Sequence, residues 1–148
     1  MTRRSFAFAL LFAAAASLPL APRAAEPSDD DVAARRDALE LAGAFTNDGF
    51  KLRDGFFSGT IQAGKPMLVQ VNLYSGNEYW FSAAATGKGK KVLVTVFDET
   101  GKPMEVEDYQ DGARAAAGFA PDSSGPHFIK VELAEGEPAA FCLLYSYK

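Results

Sequence analysis

The spacing of apolar residues divides the chain into three stretches. Residues 6–18 form a nearly continuous apolar run behind Arg3 and Arg4. Further on, Val32, Leu39, Ala42 and Phe45 recur at helical spacing. Ser28 or Asp29 suits the N-cap, the acids Asp29, Asp30 and Asp31 complement the positive end of the helix dipole, and Gly43 suits its end. One amphipathic helix is therefore predicted over 29–43. From Asn47 onward the period falls to two. Candidate strands are 50–53, 56–62, 67–75, 79–86, 91–98, 104–110, 113–120, 127–134 and 139–148, separated by segments rich in Gly, Asn, Asp and Pro. So many short strands with no intervening helix predict an all-β sandwich or barrel. The stretch 113–120 is the least strand-like, because alanine is a poor strand former.

Alternation sorts these strands into faces. Met67, Val69, Val71 and Leu73 share one face, as do Tyr79 and Phe81 on the next strand. Val92, Val94 and Val96 continue the set, followed by His127, Ile129, Val131 and Leu133, then by Phe141, Leu143, Tyr145 and Tyr147. Together they predict an inter-sheet core. The opposite faces carry Leu68, Tyr74, Trp80, Leu93 and Phe97, and an apolar face of that size needs a cover or a partner. The helix, through Val32, Leu39 and Phe45, is the expected cover, packed near Trp80.

The N-terminal run changes how the composition is used. Basic residues, an apolar stretch and small residues, in that order, read as a secretory signal peptide over 1–25, with Ala21, Ala24 and Ala25 as candidate cleavage positions. The run is shorter than the roughly 20 apolar residues of a membrane span. The expected organisation is a signal at 1–25, a helical segment at 26–46 and a β-sandwich at 47–148, exported to the periplasm or beyond. Cleavage leaves no stable membrane span. Loss of Arg3, Arg4 and Arg23 with no acid would take the net charge from −4 to −7. An acidic domain of this kind argues against nucleic acid as a partner. One cysteine excludes an intrachain disulfide and a multi-Cys zinc site.

Several segments carry a family resemblance. A Gly-x-Ile strand runs into AGKP, then LVQVNLYSGNEYWFSA places an aromatic pair after a Gly turn. VLVTVFDETGKP, GPHFIKV and AAFCLLYSY follow. From Gly55 to Tyr147 the chain resembles the bacterial pre-peptidase C-terminal domain, with His127 where that family more often has tyrosine. The resemblance implies a β-sandwich of jelly-roll type; joined to the residue pattern, it gives a jelly-roll-like antiparallel β-sandwich of eight or nine strands with one N-terminal α-helix. It also implies a secreted, non-catalytic module. Some relatives bind extracellular polymers and use calcium, so calcium is a candidate cofactor and a protein or extracellular polymer a candidate partner.

Candidate chemistry is sparse. Trp80, Tyr74 and Tyr109 offer flat rings for stacking on a ligand, against which stands burial of Trp80 under the helix. Asp98 and Asp108 are the calcium candidates within an acid-rich stretch from Asp98 to Asp111, which otherwise reads as a charged sheet edge. No catalytic residue is assigned. An enzyme would have to use His127 or Cys142, and alternation points these to opposite faces. Non-catalytic binding is the leading expectation, with a small exported enzyme or a purely structural envelope protein as alternatives.

Overall fold

The computed structural model describes residues 25–148. The expected signal peptide, apart from Ala25, lies outside the described residues. One helix and nine strands make an all-β sandwich with a helix on its outside. The elements are α1 (Asp29–Gly43), β1 (Lys51–Leu52), β2 (Phe57–Ile61), β3 (Met67–Leu73), β4 (Tyr79–Ala85), β5 (Gly89–Phe97), β6 (Glu107–Asp111), β7 (Arg114–Phe119), β8 (Gly125–Gly136) and β9 (Ala139–Tyr147). Among the described residues no helix is long and apolar enough to cross a membrane.

One sheet runs β1-β9-β4-β7-β6, with β2 also paired to β9; the other runs β3-β8-β5. All pairings are antiparallel. The nested pairs β2–β9, β3–β8 and β4–β7 are the winding of a jelly roll. β6 departs from strict nesting, because a tight turn at Gly112 folds it back on β7 instead of β5.

The core between the sheets follows the predicted faces. Val69, Val71 and Leu73 of β3 meet Ile129, Val131 and Leu133 of β8 and Val92, Val94 and Val96 of β5. They face Phe81, Phe119, Phe141 and Leu143 of the larger sheet. The alanine-rich segment is a strand after all. Ala115 and Ala117 point into the core while Ala116 points out under α1, so β7 is buried on both faces. Burial by neighbours outweighs the weak strand preference of alanine.

α1 starts at Ser28, whose hydroxyl accepts from the Asp31 backbone N–H while the Asp31 carboxylate accepts from the Ser28 backbone, a reciprocal capping box. The helix lies where expected, over Trp80, but on a different stripe. Ala34, Ala38, Leu41 and Ala42 are buried, whereas Val32 and Leu39 are 57% and 39% exposed. The alanines pack on Ala84, Cys142 and Leu144, and Leu41 packs on Phe50, Trp80 and Ala116. Small side chains on both surfaces let the helix approach closely, which a Val32/Leu39 face would prevent. The Phe45 ring stacks on Trp80 at 4.1 Å with planes 8° apart. Gly118 makes room beneath: a Cβ there would stand 2.8 Å from the indole.

The cover does not reach Leu68, Leu93 and Phe97. They belong to β3 and β5, on the outer face of the three-stranded sheet, away from α1. Sequence faces were sorted strand by strand, and only the pairing order reveals that Trp80 lies in the other sheet. Several strands are also shorter than expected. Only Lys51–Leu52 of 50–53 pairs, and the sixth strand begins at Glu107 because Met104 and Val106 turn inward against the core.

Candidate functional site

The edges of the two sheets diverge on one side of the sandwich. β1 and β2 both lie along β9, but the chain leaves the sheet between them at Arg53–Phe56. Gly55 makes that excursion with φ +96°, a conformation that other residues rarely adopt. β3 forms the facing edge of the second sheet. Between them opens a cleft of about 780 Å³, within the usual range for small-ligand sites. Arg53, Asp54, Phe56 and Phe57 line one wall, Gln70, Asn72 and Tyr74 the other, with Tyr79, Tyr145 and Tyr147 also contributing.

The cleft is held by hydrogen bonds from its own walls. The Tyr79 hydroxyl accepts from the Tyr74 backbone N–H at 3.0 Å and from Asn77 Nδ2 at 3.2 Å, fixing the β3–β4 turn. Arg53 donates its backbone N–H to the Tyr145 carbonyl at 3.0 Å. Its guanidinium donates to the Tyr145 hydroxyl and lies 5.1 Å from that ring's centre. Burial pushes the Tyr145 phenol above its ordinary pKa, and the Arg53 cation pulls the other way. No carboxylate among the described residues forms an ion pair with Arg53. The Arg35 guanidinium of α1 sits 4.1 Å from the centre of the Phe56 ring, tying this wall to the helix.

Against this fixed frame four rings remain open to solvent. Tyr74 is 61% exposed, and Phe56, Phe57 and Tyr147 are also exposed. Of the three rings expected to bind, Tyr74 is thus the one in this cleft. Tyr109, on the edge strand β6, is exposed at a smaller hollow of about 500 Å³ that Asp108 and Trp80 also line. Trp80 is only 9% exposed there, and Phe45 covers one face of its ring.

Asp98 is occupied by its own turn. Its Oδ1 accepts from the Thr100 backbone and hydroxyl and from the Lys102 backbone, at 2.7–2.9 Å. These bonds, the Thr100 hydroxyl first, hold its carboxyl below the usual carboxylate range. Asp108 lies on β6, and the described residues contain no group of three or more His, Cys, Asp or Glu side chains placed to hold a metal. His127 and Cys142 are not brought together. His127 faces the inter-sheet core, with its ring 5.4 Å from that of Phe119 and Nδ1 3.1 Å from the Gly125 carbonyl oxygen. Cys142 is buried on the opposite face of the other sheet, under the helix alanines.

Sequence reasoning missed Arg53, Phe56, Phe57 and Asn72. A signal was present in Asp54-Gly55-Phe56-Phe57, where adjacent phenylalanines follow a turn glycine. Adjacent strand residues face opposite ways, so both rings can line one cleft only where the strand breaks. No protein-family model matches the chain, and the search of curated proteins returned no significant match.

Proposed function

We propose that this chain is an exported, non-catalytic β-sandwich binding module of pre-peptidase C-terminal type, and that the Tyr74 cleft is its binding face. The observation carrying the reading is the set of four solvent-open rings mounted on a hydrogen-bonded frame between two sheet edges. Exposed aromatic groups clustered in a concavity mark contact surfaces, because they bury large area at little conformational cost. The basic and apolar N-terminus supports export. The nested jelly-roll pairing agrees with the fold that the family resemblance implies. The ligand on this reading is an extracellular polymer.

The test expresses the full chain with its leader and recovers the protein from periplasm and medium. Co-sedimentation is then measured with peptidoglycan sacculi, collagen fibrils, insoluble glucan and chitin. Retention on at least one polymer is expected, falling at least tenfold in the double variant Phe56→Ala/Tyr74→Ala, whose side chains are exposed. Retention on none of the polymers, or equal retention of the variant, overturns the proposal.

A further inference from the structure

The composition of the cleft is informative about what fills it. Its rings supply apolar planes, and of its five polar side chains that are not aromatic three are amides, Gln70, Asn72 and Asn77. An amide carries both donors and an acceptor, as a hydroxyl does. An anion asks for donors and a cation for acceptors, so a wall of amides suits neither as well as it suits hydroxyl groups. Of the amides, Asn77 already gives Nδ2 to Tyr79, which leaves its carbonyl oxygen for a ligand donor.

Charge points the same way. Among the described residues that line the cleft, only Arg53 and Asp54 are charged, and they are of opposite sign. The chain as a whole carries −4, which disfavours the approach of polyanions. The guanidinium is already oriented by the Tyr145 hydroxyl and ring, so it can receive a ligand oxygen with little loss of side-chain freedom.

We infer that the cleft binds a neutral carbohydrate chain, with a sugar ring stacked on Tyr74 and hydroxyls held by Asn72, Gln70 and Arg53. A pyranose has the required chemistry, since its C–H faces are apolar and its rim carries hydroxyl groups. The inference rests on the cleft being the binding face and adds the class of ligand.

Backbone and side-chain amide NMR of the exported protein would be followed during titration with four soluble probes: cellohexaose, chitohexaose, hexagalacturonate and a collagen-like triple-helical peptide. The expected result is saturable shifts confined to the cleft, including the Asn72 side chain, with one or both neutral oligosaccharides. Tyr74→Ala should abolish the shifts, and Asn72→Ala should weaken binding about tenfold for one lost hydrogen bond. Hexagalacturonate or the peptide binding in the cleft, with both neutral sugars silent, overturns the neutral-carbohydrate assignment and leaves the binding module standing. Silence from both sugars, with polymer retention still dependent on Tyr74 and Phe56, does the same. Loss of that retention dependence overturns both.

Discussion

Replacing Gly118 with alanine should destabilise the protein, although alanine is the better strand residue. Glycine inside a strand costs about 0.5–1 kcal/mol relative to alanine, so backbone preference alone would make the change favourable. The added methyl, however, would stand 2.8 Å from Trp80 Cζ2 and 3.0 Å from Cε2 and Cη2. Carbon atoms prefer contact at about 3.5–4.0 Å, so the indole would have to retreat by roughly 0.5–1 Å. Phe45 stands in its way, stacked at 4.1 Å and attached to the end of α1. Overpacking of this kind costs about 1–3 kcal/mol. Subtracting the backbone gain leaves a net loss of about 0–2.5 kcal/mol, or a melting temperature lower by up to roughly 10 °C for a chain of this size. Urea unfolding followed by far-ultraviolet circular dichroism would compare four proteins: wild type, Gly118→Ala, Trp80→Leu and the double variant. In the Trp80→Leu background the glycine change should become neutral or stabilising. An equal penalty in both backgrounds, or stabilisation in the wild type, refutes the claim that the indole dictates this glycine.

Two other positions under the helix give sharp expectations. The Ser82 hydroxyl is fully buried with no hydrogen-bond partner among the described residues, so Ser82→Ala removes a desolvation cost. It should be neutral or stabilising by up to about 1 kcal/mol, and a loss of stability in urea would refute this. The Cys142 thiol is pushed up to about 11 by burial, with Arg35 acting in the opposite direction. Its reaction with a maleimide at pH 8 should be at least a hundredfold slower in the native protein than in guanidinium chloride. Because the folded value exceeds the ordinary 9.0, its contribution is complete below pH 9 and lost as the pH climbs toward 11. Cys142→Ala should flatten that alkaline decline, and an unchanged decline would show that other groups set it.

Strand faces were legible in the sequence because period-two alternation is local, and His127 and Cys142 took the faces that alternation assigns. The helix bounds were equally local: Ser28 caps the start, and Gly43 is the last helical residue. Pairing was not legible. Nothing near Leu68 or Trp80 says that they belong to different sheets, and that is why the helix covers one and leaves the other exposed. The helix stripe misled for a related reason. Apolarity favours Val32 and Leu39, but the receiving surface of Ala84, Cys142 and Leu144 selects alanines by closeness of approach. Of the proposed binding residues, Tyr74 was visible as an aromatic beside a turn. Arg53 and Phe56 were hidden because they become neighbours only where β1 and β2 part along β9.

β9 also has a consequence for the order of events in folding. It follows every other element in sequence, yet lies between β1 or β2 and β4 and beneath α1. Until Ala139–Tyr147 have been synthesised, β1 and β2 have no partner, β4 lacks one neighbour, and α1 has half of its seat. Contacts between sequence-distant segments close slowly, so the sheet that joins β1, β2 and β4 through β9 is completed only after β9 has emerged. An unfolded polypeptide is the form that can be threaded through a narrow translocation pore. The nested winding therefore delays completion of this sheet, and the export proposed above would be favoured if passage began before β9 found its place.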